Sequence, residues 1–184
     1  MPGIVILDRD GVINRDSKDY IKSTAEWQPL PGAPEAIARL NRAGWRVAVA
    51  TNQSGIGRGY YDHATLSAIH HRMNQRVVEA GGTICHIEYC PHRPDEGCGC
   101  RKPAPGMLFA IQRAAGLDDL QQSWMVGDSL RDIDAGARAG CQTALVRTGN
   151  GTDCEIPVRS AFPKTWVCTD LNDFVTRLLD LDAQ

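Results

Sequence analysis

Long apolar runs, blocks of like charge, internal repeats and low-complexity segments are all missing from this chain of 184 residues. Each absence excludes something. Near the N-terminus, in MPGIVILDRDG, the apolar stretch runs only from Ile4 to Leu7 before Asp-Arg-Asp follows. That is too short for a membrane span or the apolar centre of a signal peptide, so a cytoplasmic protein without a membrane partner is expected. The formal net charge is −2, and no basic patch stands out. A nucleic-acid partner is therefore not expected. No linker divides the sequence, and residues 1–184 are expected to form one domain. No long apolar surface pattern calls for a partner subunit, so a monomer is expected. A disulfide framework is also disfavoured. The cysteine count is seven, an odd number, and three of the seven crowd into one short stretch with a histidine.

What the sequence does contain is an alternation. Short apolar runs at 3–7, 45–50, 84–89, 123–127 and 143–147 read as buried strands, and 165–168 as a late edge strand. Between them, 34–43, 62–80, 105–115, 131–139 and 170–181 carry helical patterns, with Asp62 and Asp170 as caps and glycine after several of the ends. Residues 150–164 read as a surface loop. The expected fold is α/β, a three-layer Rossmann-like parallel sheet with helices on both faces. Only about twenty residues separate Gly11 from the first helix, which leaves no room for a large cap domain.

Sheets of this kind bind ligands at the carboxyl ends of their strands. After the first strand stand Asp8 and Asp10, in DRDG. They read either as solvated turn acids or as a nucleophile and an acid–base group beside a hard cation. After the second comes TNQSG, Thr51 to Gly55, either a polar turn or a phosphate cradle. Arg101 and Lys102 are either a solvated pair or ligands for phosphate oxygens, with Pro103 and Pro105 restricting the backbone beyond them. Asp128 follows the fourth strand, either as a helix cap or as a further carboxylate for a divalent ion. Asp132 is a candidate for orienting Lys102.

The stretch YCPHRPDEGCGCRKP adds a second kind of site. Cys90, His92, Cys98 and Cys100 make a Cys₃His set, the closed tetrahedral pattern of structural Zn²⁺, within a small loop at 90–100. A catalytic zinc keeps one position open, and this set leaves none. Cys85, Cys141, Cys154 and Cys168 are expected to be mostly buried and inert. His63, His70, His71 and His86 carry no motif.

Taken in order, Asp8-x-Asp10, Thr51, Lys102 and Gly127-Asp128 resemble the four motifs of haloacid-dehalogenase-type phosphatases. The resemblance runs from Ile4 to about Gly149. It implies that Asp8 is the nucleophile and Asp10 the general acid and base, protonated at the outset. Thr51 and Lys102 would hold the transferring phosphoryl group. Asp8, Asp128 and the backbone carbonyl of Asp10 would bind Mg²⁺. Substrate contacts are implied for Asp16, Ser17, Lys18 and Asp19, for Thr51, Asn52, Gln53 and Ser54, and for Arg101 and Lys102. Arg58, Lys18 and Arg101 are candidates for a second anion site. The zinc loop and the strings TNQSGIGRG, CRKPAPGML, MVGDSLRDI and LVRTG resemble the branch acting on heptose 1,7-bisphosphate, a sugar phosphate on the way to lipopolysaccharide core. The five-residue gap between His92 and Cys98 is as short as in the histidinol-phosphate branch. A DNA 3′-end phosphatase would share the motifs but would call for a basic groove. A noncatalytic zinc-containing module would be expected to have lost some of the four motif residues.

Overall fold

The first strand, β1 (Ile4–Leu7), is buried along its whole length. The computed structural model describes residues 3–183, and residues 1, 2 and 184 of the expected domain lie outside them. Along the chain follow α1 (Ala33–Arg42), β2 (Arg46–Asn52), α2 (His63–Glu79), β3 (His86–Cys90), α3 (Gly106–Ala114), β4 (Trp124–Gly127), α4 (Leu130–Ala139), β5 (Gln142–Val146), α5 (Gly151–Ala161), β6 (Trp166–Cys168) and α6 (Leu171–Asp182). The strands form one parallel sheet in the order β3-β2-β1-β4-β5-β6. Alternate residues of β1 feed opposite cores, because successive side chains in a strand point to opposite faces. Val5 and Leu7 pack with α1, α2 and α6 through Ile37, Ile69 and Phe174. Ile4 and Ile6 pack with α3 and α4 through Leu108, Ile111 and Ala135. This is the expected three-layer arrangement. Between β1 and α1 the described residues contain only turns, bends and isolated bridges, so no cap domain is inserted there.

The strand order reverses between β1 and β4, the crevice where such sheets bind ligands. Parallel register sets Leu7 beside both Val49 and Val126. The residues after Leu7, Val49 and Val126 therefore emerge together at one sheet edge.

Two local expectations are corrected. Residues 150–164 are not a loop: Gly151–Ala161 is α5, despite Pro157 within it. A proline inside a helix forfeits one backbone hydrogen bond. Here Cys154, Val158 and Phe162, spaced one turn apart, pack on Ile133, Leu145 and Val167 and offset that loss. Glu155 also ties Arg147 to Arg159 across the exposed face. The second correction concerns Thr51 and Asn52. They do not follow β2 but lie in it, paired with Tyr89 and Cys90. The extension arises because β3 runs to Cys90 and offers partners that the apolar pattern alone does not reveal.

Candidate active site

Asp8 leaves β1 with its backbone N–H donated to the Val126 carbonyl, which locks it to β4. Its carboxylate lies 3.0 Å from the ammonium of Lys102, and the same ammonium lies 2.7 Å from Asp132 and 2.6 Å from the Ala50 carbonyl. Lys102 is thus held by three acceptors and is almost fully buried. Its backbone is held as well: the Asn52 amide accepts from the Lys102 N–H at 3.0 Å and donates to its carbonyl at 3.1 Å. The Asn52 side chain therefore serves to fix Lys102, although it also borders the cavity.

Asp132 is committed elsewhere than to a ligand. One oxygen meets Lys102, and the other accepts from the N–H groups of Asp128 and Ser129 and from the Ser129 hydroxyl. This is the capping box of α4, with Ser129 as the cap, so Asp128 is not the cap. Asp128 instead turns toward Asp8 and accepts from the backbone N–H and side chain of Asn150. Two glycines make room for it. A Cβ on Gly11 or on Gly149 would stand 2.1 or 2.2 Å from its Oδ2, and both glycines have positive φ.

One carboxylate oxygen each of Asp8, Asp128 and Asp132 lies within 4.8 Å of the others. Burial drives Asp8 well above the ordinary carboxylate range; Asp132, Asp128 and Asp10 add to the rise and Lys102 opposes it. Burial and Asp132 likewise push Asp128 up to about 7. For Lys102 burial acts to lower the pKa, but Asp132 and Asp8 outweigh it and hold the ammonium charged. One lysine does not balance this crowd of carboxylates, so a divalent cation between Asp8 and Asp128 fits the charge deficit and the all-oxygen donor set. The Asp10 carbonyl accepts no hydrogen bond among the described residues and is free to join them.

Asp10 departs from expectation. Burial would raise its carboxyl, but the Arg9 guanidinium and hydrogen bonds from Asn14, Arg9 and Gln53 outweigh burial and hold it below the ordinary range. Without substrate these surroundings favour its ionised form. A phosphate dianion arriving beside it opposes the effect of Arg9 and drives proton uptake.

Asp8, Asp10, Lys102 and Asp128 border a cavity of about 370 Å³. Asp8 is reachable from it, with 13% of its side chain exposed. Asp16, Ser17 and Lys18 form one wall, and Gln53, Ser54 and Arg58 another. Thr51 does not line the cavity. It is buried behind Gln53, whose amide donates to its hydroxyl at 2.9 Å. Asp19 also faces away, into a neighbouring surface hollow. Arg101 lines the cavity with its Nη1 buried and unpartnered. Burial and then Arg131 lower its pKa, Cys90 and Cys98 oppose them, and Arg58 adds a little to the lowering; Arg58, Arg101 and Arg131 all line the cavity. No motif in the sequence marks Arg131. Its signal was its place beside Asp132 in the first turn of α4, at the sheet edge.

The second cluster lies just before Arg101. Cys90 Sγ is 3.4 Å from His92 Nδ1, 3.6 Å from Cys98 Sγ and 3.2 Å from Cys100 Sγ, and His92 Nδ1 is 3.3 Å from Cys100 Sγ. A tetrahedral zinc with bonds of about 2.3 Å to sulfur and about 2.0 Å to nitrogen separates its ligands by roughly 3.5–3.8 Å. The four groups therefore fit one such ion. All seven cysteines are free thiols. Of those outside the loop, Cys168 is buried, Cys141 and Cys154 are half-buried, and Cys85 is exposed where the chain enters the edge strand β3, contrary to expectation for Cys85. Among the described residues, no helix is long and apolar enough to cross a membrane.

Comparison with known proteins agrees with the geometry. The HAD-hydrolase-like family model matches residues 99–174. The D-glycero-beta-D-manno-heptose-1,7-bisphosphate 7-phosphatase of Pseudomonas aeruginosa is 59% identical over 148 residues, covering 80% of this chain and 83% of the relative. The enzyme of that name from Bordetella bronchiseptica is 50% identical over 177 residues, 96% of this chain and 97% of the relative. The crystal structure of the D,D-heptose 1,7-bisphosphate phosphatase from B. bronchiseptica, complexed with magnesium and phosphate, superposes with a TM-score of 0.92 at 48% identity. It covers 97% of this chain and 98% of that one. With identity this high over nearly the whole length, the chain belongs to the D-glycero-D-manno-heptose-1,7-bisphosphate 7-phosphatase family of HAD-like hydrolases.

Proposed function

We propose that this chain is a Mg²⁺-dependent phosphatase that removes the 7-phosphate of D-glycero-D-manno-heptose 1,7-bisphosphate, a step toward lipopolysaccharide core precursors. The observation that carries this reading is the buried Lys102 ammonium, 3.0 Å from Asp8 at the edge of an open cavity. When bound to Asp8, Asp128 and the Asp10 carbonyl, Mg²⁺ would supply positive charge against the incoming phosphate. Asp8 attacks phosphorus and becomes an aspartyl phosphate. Lys102 holds a phosphoryl oxygen, and Thr51, one layer behind, supports that end through Gln53. Asp10 gives a proton to the leaving sugar oxygen, then takes one from the water that hydrolyses the intermediate.

Arg58, Arg101 and Arg131 favour a substrate with a second phosphate. Histidinol phosphate offers instead a cationic amine, which three guanidinium groups would repel. The short gap between His92 and Cys98 keeps that alternative in the test. In this reading Zn²⁺ on Cys90, His92, Cys98 and Cys100 is structural. It orders the loop that ends in Arg101 and Lys102, where disorder would cost about 1–2 kcal/mol per residue to remove. We read residues 1–184 as one cytoplasmic, monomeric catalytic domain without nucleic-acid or membrane partners. The test is Mg²⁺-dependent phosphate release from heptose 1,7-bisphosphate, histidinol phosphate and a 3′-phosphorylated oligonucleotide, with the position of the remaining phosphate read by NMR. Heptose 1-phosphate is the expected product. A preference for either other substrate overturns the assignment.

A further inference from the structure

The carboxylate of Asp10 is gripped unevenly. Its Oδ1 accepts three hydrogen bonds, from Arg9 Nε at 3.0 Å, Arg9 Nη2 at 2.9 Å and Asn14 Nδ2 at 2.9 Å. Its Oδ2 accepts one, from Gln53 Nε2 at 3.0 Å. Each arm is itself held from behind. Arg9 is completely buried, and its Nη1 lies 3.2 Å from Nε2 of His70 on α2. A guanidinium can only donate, so His70 Nε2 must accept, and the imidazole is neutral with its proton on Nδ1. Burial and Arg9 agree, pushing the His70 pKa down to about 3. On the other arm, the Tyr61 hydroxyl donates to Gln53 Oε1 at 2.5 Å. That bond orients the amide so that its nitrogen faces both Asp10 and Thr51. Gly55 makes the Tyr61 placement possible, since a Cβ there would stand 2.2 Å from the ring. Arg9, His70 and Tyr61 all stand outside the lining of the cavity.

We propose that His70 and Tyr61 are positioning residues for Asp10: His70 acts through Arg9, which ties off Oδ1, and Tyr61 acts through Gln53, which orients Oδ2 as the oxygen that meets the leaving group. This rests on the reading of Asp10 as general acid and base. In the first half-reaction Asp8 bonds to phosphorus, the phosphorus–ester oxygen bond breaks, and the freed oxygen takes the proton from Oδ2. In the second, Oδ2 takes a proton from water as its oxygen bonds to phosphorus and the Asp8–phosphorus bond breaks. Both transfers need one oxygen at one place, and a misplacement on the ångström scale is costly in rate.

The test compares His70→Leu, His70→Gln and Tyr61→Phe with the unaltered protein, each loaded with Zn²⁺ and Mg²⁺, on heptose 1,7-bisphosphate. His70→Leu and Tyr61→Phe are expected to lower kcat about tenfold, with KM and the Mg²⁺ concentration for half-activation within about twofold. His70→Gln keeps an acceptor toward Arg9 and is expected to recover kcat to within about threefold. Tyr61→Phe keeps the ring, so it probes the hydroxyl even where a His70 variant folds poorly. A folded Tyr61→Phe with unchanged kcat, or one in which KM rises as kcat falls, overturns the proposal. An unaltered protein inactive on the bisphosphate sinks the proposed function together with it, whereas active Asp10→Asn removes the acid–base role alone.

Discussion

The Cys90–Cys100 loop and the Asp8–Asp128 cleft are both clusters able to hold a metal, and they are built on opposite lines. In the loop, four soft ligands come from eleven consecutive residues and close around one point. Nothing is left open for substrate. In the cleft, hard carboxylates come from β1 and from the end of β4, far apart in sequence, and border a cavity. In the proposed function, the loop organises chain and the cleft performs chemistry. They meet at Arg101 and Lys102, which directly follow the last loop ligand and end inside the cleft. Lys102 has a second tether in Asn52, so its position depends on the sheet as well as on the loop.

The comparison breaks most sharply at Asp8. Asp8→Asn is expected to cost about 10⁴-fold or more in kcat while the protein stays folded, because it removes the proposed nucleophile and leaves the cysteine loop intact. Circular dichroism and phosphate release check both halves, and an active variant would end the assignment. Next come the two metals. Stripping Zn²⁺ with a thiol-competent chelator is expected to lower the melting temperature by about 10 °C and to reduce turnover together with it. Removing Mg²⁺ alone is expected to abolish turnover reversibly while moving the melting temperature by no more than a few degrees. Equal thermal effects would show that the division between the two clusters is wrong.

A smaller effect tests the cationic end of the cleft. Arg131→Ala is expected to raise KM for the bisphosphate about tenfold, the loss of one charge-assisted contact, and to leave KM for a sugar monophosphate unchanged. The smallest lies outside both clusters. Arg147 and Arg159 pull Glu155 down to about 2 through hydrogen bonds and charge, against a slight opposing effect of burial. A depressed acid stabilises the fold above its unfolded pKa near 4.5, and that support fades as pH falls toward 2. Glu155→Gln should therefore flatten the decline in melting temperature between about pH 4.5 and pH 2, with catalysis at neutral pH unaffected.

Much of this was legible because local chemistry is written locally. The buried strands announce themselves in runs such as IVIL and WRVAVA. The zinc ligands sit in one short string, and a ligand set so compact needs no fold to bring it together. Asp8 and Asp128 could be placed because each directly follows a strand, and parallel strands bring their ends to one edge, while Lys102 could be placed by its position directly after the last loop ligand. What was not legible depends on lateral contacts. Asn150 to Lys164 resembles a loop until Val158 finds Ile133 and Leu145. Arg9 looks like a solvated charge between two acids. Yet it is fully buried, with its guanidinium bonded to Asp10 on one side and to His70 on the other. His70 carries no motif at all, and only the docking of α2 gives it a partner.

By itself, then, the sequence determined the α/β layering, the closed Cys₃His set, the strand-end residues Asp8 and Asp128, and Lys102 directly after the loop. Periodicity and spacing encode these directly. The tertiary structure alone decided that Asp132 is spent on Lys102 and on the α4 cap, that Thr51 stands behind Gln53, and that Arg131 joins Arg58 and Arg101. It alone decided, too, that Arg9, Asn14 and Gln53 surround Asp10 and favour its ionised form. Hydrogen-bond partners and electrostatic fields depend on distances of a few ångströms between residues tens of positions apart, and those distances exist only once the sheet and helices have packed.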